Sequence, residues 1–295
     1  MHIVAHAPRI LALVLTAATA VACANTSNGG GTTFVDTNTT DFSTTDTTAG
    51  TDSTTGTDST VADTSGASKT VAELQAMKTA CGSPPVAFDN FLNDVMIRDV
   101  VVTSPMRISA GYEGVFVQDE GGGENSGIYV MMKGTATALA DVNPGDVLTI
   151  VGDAKEYYYC FTELQADSVV PSGETKEVVA VKVTPAQLDE KASMDLVEPF
   201  EGVMVELENV VVADPLATGT DNKPHGAILV GADENSPSVR IASGFGKFYM
   251  TEYDKTTKAY SEKYPKGTKI KSIKGVIEYT YGAFQLLPVE DPILE

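Results

Sequence analysis

The sequence predicts a mainly β protein, with two small barrels or sandwiches in tandem after a disordered leader and one or two short helices. Three observations predict it. The stretch at 145–164, GDVLTIVGDAKEYYYCFTEL, returns 122 residues downstream as 267–286, GTKIKSIKGVIEYTYGAFQL, so that Gly145 answers to Gly267, Leu148 to Ile270, Glu156 to Glu278 and Leu164 to Leu286. An earlier stretch, VMIRDVVV at 95–102, matches VELENVVV at 205–212 with an offset of 110, which leaves the later copy 12 extra residues between its two matching segments. Self-similarity at so long a period marks duplicated units. The third observation is that runs rich in Val, Ile, Tyr and Phe alternate with turn residues, five short runs to a copy.

Residues 1–23 read as an export signal: Arg9, an apolar run at 10–22, and small residues before Cys23. That run is too short to span a bilayer as a helix and fits a cleaved leader. Ala20-Val21-Ala22-Cys23 resembles a bacterial lipobox, whose cysteine is acylated, so Cys23 is the expected lipidation site and a membrane the expected partner. An ordinary signal peptide cut at a small-x-small site is the alternative. Ala24 stands where an Asp would indicate inner-membrane retention, which points to the outer membrane or cell surface, with a periplasm-facing or secreted form as the alternative.

Residues 24–68 are dominated by Thr, Ser, Asp and Gly. Such a segment cannot bury enough apolar surface to offset the cost of ordering it, so it is expected to be a disordered tether. Its reach is on the order of 35–40 Å by flexible-linker scaling. The chain carries 40 acidic against 20 basic residues, net -20, which disfavours a general electrostatic hold on phosphate backbones. In an exported protein the pair Cys81 and Cys160 is a disulfide candidate, and two buried thiols are the alternative.

The first module is expected over 69–170. It opens with a helix at 70–80, where Thr70 and Glu73 have capping-box spacing, and continues with strands at 95–103, 114–118, 127–132, 147–153 and 160–166. A connector at 171–197 holds a strand at 178–183 and a short helix that Thr184 caps and Pro185 begins, running to 189. The second module, 198–295, has expected strands at 202–212, 227–230, 238–241, 269–278 and 283–288, with the extra residues around 245–265.

Val-Val-Val-Thr-Ser, then Gly-Val-Phe-Val-Gln-Asp at 114–119, Ser-Gly-Ile-Tyr-Val at 126–130, Pro-Gly-Asp-Val-Leu-Thr-Ile-Val-Gly at 144–152 and Glu-Tyr-Tyr resemble the OB-fold-like domains of bacterial surface lipoproteins. Similar non-catalytic domains precede the catalytic part of some secreted nucleases. The resemblance covers 95–168 and, less closely, 202–289, and it implies two OB-fold-like barrels. The chain ends at Glu295, which leaves no room for a nuclease domain, so a non-catalytic protein is expected. His225 is the only histidine outside the leader, and no Gly-x-Ser-x-Gly elbow, P-loop or dinucleotide fingerprint occurs; no enzyme activity and no cofactor are expected.

Three places offer binding chemistry. Tyr157, Tyr158 and Tyr159 follow Glu156 between the last two strands of the first module, and Tyr279 and Tyr281 follow Glu278 in the second. Their rings suit stacking on bases or sugars, but bracing the hairpin is the favoured reading, since aromatic strand and hairpin residues commonly serve packing. Residues 247–274 hold eight lysines against Glu252, Asp254 and Glu262, with tyrosines interspersed; Lys255, Lys258 and Lys263 are the candidates for holding a nucleic acid or acidic glycan. A solvated hairpin explains the same interleaving. Asp119, Glu120 and Glu124 surround three glycines in a turn that is a weak calcium candidate and more simply an acidic loop. The expected role is non-catalytic binding or scaffolding at the cell envelope, with a polyanion (nucleic acid or acidic glycan) or an envelope protein as the candidate partner. The alternatives are a nucleic-acid or polysaccharide adhesin and an enzyme with an unrecognised carboxylate site.

Overall fold

The computed structural model describes residues 68–77, 90–109, 111–133, 137–157, 161–236, 238–280 and 282–295. Strand β1 (Ser68–Lys69) precedes helix α1 (Val71–Gln75), where the predicted capping box forms: Thr70 Oγ1 accepts from the Glu73 amide at 3.1 Å, and Glu73 accepts from the Thr70 amide at 2.9 Å. The helix is shorter than predicted, ending at a cap on Ala76. Strands β2 (Asn90–Val102), β3 (Arg107–Ser109), β4 (Tyr112–Gln118), β5 (Gly127–Lys133), β6 (Asp146–Tyr157) and β7 (Phe161–Thr175) complete the first sheet.

The pairing of the strands defines the architecture. Antiparallel β2–β4 and β4–β5 are followed by parallel β5–β7, then antiparallel β7–β6, and β6 returns to β2. Five strands closed in the order 1-2-3-5-4-1 form a small Greek-key barrel of the OB type. The second half repeats it. After β8 (Val181–Val183) and α2 (Met194–Val197) come β9 (Met204–Thr218), β10 (Pro224–Gly231), β11 (Ser238–Ile241), β12 (Thr251–Asp254), β13 (Ala259–Glu262), β14 (Lys269–Thr280), β15 (Ala283–Pro288) and β16 (Ile293–Leu294). Here β9–β10, β10–β11, parallel β11–β15, β15–β14 and β14–β9 close the same circuit. The predicted mainly β class with two OB-like modules therefore holds.

The internal repeat has a structural meaning. Val100 opposes Leu148 in the first barrel, and their counterparts Val210 and Ile270 oppose each other in the second. The preceding residues, Asp99 and Asn209, both take left-handed backbone angles (φ 55° and 53°), which Asp and Asn tolerate better than other non-glycine side chains. Gly145 and Gly267 also have positive φ, and their amides donate to Val102 and Val212 at 2.8 and 2.9 Å. Glycine adopts that conformation without a Cβ penalty, so it closes the same corner twice.

Several predicted spans are corrected by the hydrogen bonding. Strand β7 runs on to Thr175 because β6 continues beside it, and the connector strand is confined to Val181–Val183, where it pairs in parallel with β9. The turn after Thr184 is a single 3-10 turn, Pro185–Gln187, rather than a longer helix. Of the extra residues in the second copy, 251–262 form a β12–β13 hairpin between β11 and β14. Cys23, Cys81, Cys160, Tyr158, Tyr159, Tyr281 and the expected tether up to residue 67 lie outside the described residues, whereas Ser68, expected to end the tether, belongs to β1.

Candidate functional site

Alternation along the first barrel's strands separates two environments. Val115, Val117, Ile128, Val130, Leu148, Ile150 and Leu164 point inward and form the barrel's own core. Their neighbours Phe116, Tyr129 and Met131 point outward, on the strand 2–3 side that OB barrels use for oligonucleotides and oligosaccharides, and Phe161 at the start of β7 joins them. All four are nevertheless buried, because they join the core of the second barrel. Phe116 lies 4.9 Å from Tyr129 and 6.2 Å from Phe161, and Phe245 of the second module meets it edge-on at 6.3 Å. The face that a lone barrel would offer to a ligand is spent on holding its sibling.

Polar contacts register the two barrels. Arg107 on β3 pairs with Glu278 on β14, its guanidinium over the Tyr129 ring at 4.4 Å and its Nε donating to Tyr129 Oη at 3.2 Å. Burial works against the Arg107 charge, but the Glu278 carboxylate outweighs it and the guanidinium is held more firmly protonated than usual. Burial pushes the Tyr129 hydroxyl up. The Thr162 amide donates to Glu201 at 2.5 Å and the Asn125 amide to the Pro199 carbonyl at 2.6 Å. Glu163, 5 % exposed, has Lys155 Nζ at 3.6 Å and has its carboxyl pushed up to about 7, chiefly by burial.

The remaining candidate residues divide by position. Tyr279 is buried and packs on Phe284 at 5.1 Å, so its ring braces the hairpin; Tyr157 is half-exposed. Asp119 is occupied structurally: its two carboxylate oxygens accept from the Val71 and Ala72 amides at 2.9 and 3.0 Å, capping α1 from 47 residues away. Glu120 pairs with Lys176 at 2.6 Å, and Glu124 remains in the loop. Among the described residues no group of three or more acidic, histidine or cysteine side chains is placed to hold a metal.

The β12–β13 hairpin is the exposed aromatic feature. Tyr253 and Tyr260 face each other across it with ring centroids 4.8 Å apart, and Tyr260 lies over Gly226 of β10, where a Cβ would meet its ring at 3.2 Å. Tyr253 is 49 % exposed and Tyr249 51 %. Lys255 and Lys258 flank the tip, whose tight turn is tied by Asp254: the Thr256 amide donates to it at 2.7 Å and Thr257 Oγ1 at 2.8 Å. These bonds, the Thr256 amide first, hold the Asp254 carboxyl below its usual range. Lys263 is engaged elsewhere, donating to the Tyr249 carbonyl at 2.8 Å and standing 4.0 Å from Asp291. Lys266, Lys269 and Lys274 have carboxylate partners in Glu234, Glu295 and Glu290, whereas Lys247, Lys255, Lys258 and Lys271 have none among the described residues. The charge excess seen in the sequence thus contracts to a few cations, two of them beside the tyrosine pair.

No protein-family model matches this chain, and no curated protein matches it. Solved structures with local likeness include the Stn1-Ten1 complex of S. pombe, at 18% identity over 28% of this chain and 60% of that one, with a TM-score of 0.24. The second OB-fold domain of replication protein A from Methanococcus maripaludis matches at 21% identity over 28% of this chain and 88% of the domain, TM-score 0.21. A murine DNA-binding protein bound to double-stranded DNA matches at 13% identity over 66% and 94%, TM-score 0.32. The chain thus spans 60% of the S. pombe structure's length.

Proposed function

We propose that this protein is a non-catalytic binding protein for single-stranded nucleic acid, held at the cell surface by lipid on Cys23 and presented on its 24–67 tether. The observation that carries the ligand class is the exposed Tyr253 ring, braced by Tyr260 and flanked by the unpaired Lys255 and Lys258. A flat ring accepts any base by stacking, and two ammonium groups hold the adjoining phosphates. The hairpin packs beside β9 and β10, close to the loop between strands 1 and 2 of its barrel, which borders the ligand side in this architecture. The net charge of -20 limits such binding to a short, local contact. With about two phosphates neutralised, the logarithm of affinity should fall with a slope of about -1.4 per tenfold salt.

The test is a binding titration of the full chain with single-stranded DNA, duplex DNA, an acidic glycan and a neutral glycan, each at two salt concentrations. Single-strand binding with that salt slope, weakened about tenfold by Tyr253→Ala, is the expected result. Preference for the acidic glycan would transfer the site to polysaccharide. No binding to any of the four would overturn the reading and leave a protein scaffold. Loss of palmitate labelling in Cys23→Ser tests the anchor.

A further inference from the structure

The seam between the barrels gathers buried and half-buried carboxylates. Among the described residues Glu156, Glu163, Glu201 and Glu278 meet there, with Arg107 paired to Glu278 and Lys155 beside Glu163. Arg107 is committed to Glu278. Lys155 is shared, donating to Gln165 at 3.2 Å while its ammonium stands 3.6 Å from Glu163, too far for a hydrogen bond. One Glu163 oxygen, Oε2, accordingly has no hydrogen-bond partner although the residue is almost wholly buried. The charged and titratable groups facing it are Lys155 on β6, Arg107 on β3, Tyr129 on β5 and Glu278 on β14, the last from the other barrel. A buried carboxylate whose nearest cation is beyond hydrogen-bond reach, with a like charge across an interface, is stabilised by taking up a proton.

We infer that the seam is a proton-operated latch: Glu163 takes a proton from solvent as the barrels close and returns it as they loosen, so docking is tighter in mildly acid than in mildly alkaline solution. The upward shift of the Glu163 carboxyl places the change around neutrality. Loosening acts first on the bonds that cross the seam, those of the Asn125 and Thr162 amides, and leaves the Val117 and Val130 ladder inside the first barrel intact.

Amide exchange on the full chain, corrected for intrinsic rates, tests this between about pH 5.5 and about pH 8. Protection at Asn125 and Thr162 should fall about tenfold or more over that range, while Val117 and Val130 keep theirs. In Glu163→Gln the seam amides should lose this pH dependence. A parallel fall at all four amides, or an unchanged fall in Glu163→Gln, would overturn the latch. Lys155→Gln serves if that variant does not fold: removing the nearest cation should move the transition to higher pH by about one unit, and an unmoved transition overturns the latch equally.

Discussion

Gly127 and Gly202 touch backbone to backbone across the seam. A Cβ on Gly127 would stand 2.1 Å from the Gly202 carbonyl carbon, and one on Gly202 would stand 2.6 Å from the Gly127 carbonyl carbon. Gly202 also has φ 71°, but Gly127 lies in a regular strand, so sterics alone demand glycine there. Gly127→Ala should therefore force the barrels apart and cost about 3 kcal/mol, measured as a lowered urea midpoint. An unchanged midpoint would mean that the contact relaxes freely.

Arg107→Met leaves Glu278 buried without its cation. Removal of one partner of such a pair costs about 3–5 kcal/mol, and the double variant Arg107→Met with Glu278→Gln should recover much of that. Denaturant titrations of the two singles and the double form the cycle. Equal losses in single and double variants would show that the cation–aromatic contact with Tyr129, at 4.4 Å, dominates instead.

Asp119→Ala removes a cap rather than a metal ligand. The expected loss is about 1 kcal/mol, with faster exchange at the Val71 and Ala72 amides. Millimolar calcium should leave the wild-type Tm unchanged, since both Asp119 oxygens are already in use. A rise in Tm would restore the calcium reading.

Glu163 has a folded-state carboxyl near 7 against an ordinary 4.5. Its contribution is fully present below about pH 4.5 and is lost as pH rises towards about 7, a change of roughly 3 kcal/mol at most. Other carboxylates titrate in the opposite sense, so the measurement is the difference in unfolding free energy between wild type and Glu163→Gln across that range. A flat difference would contradict the buried ionisation.

Barrel interiors were legible because their rules are local. Alternating Val and Ile, the turn glycines and the capping box at Thr70 and Glu73 act over a few residues, and strands β11 and β15 match the expected spans 238–241 and 283–288. The jump in repeat offset located the hairpin insertion. The seam was not legible: an outward Phe116 looks in sequence like any exposed aromatic on a strand, and only the distant module makes it core. Arg107 and Glu278 are a pair made by docking, with no spacing to announce it. Tyr279 is covered while its repeat partner Tyr157 is half-exposed, a difference that the shared Glu-Tyr spacing does not announce. Asp119 escaped for the same reason, since its partners on α1 are remote in the chain.

The shared core that contains Phe116, Tyr129 and Phe161 ties the fate of one copy to the other. A chain cut after the first barrel would present those rings to water and associate through them, while the second barrel alone would miss part of its own interior. Each half thus serves as a solvent-excluding wall of its twin, and a lone copy would carry an apolar face with nothing to cover it.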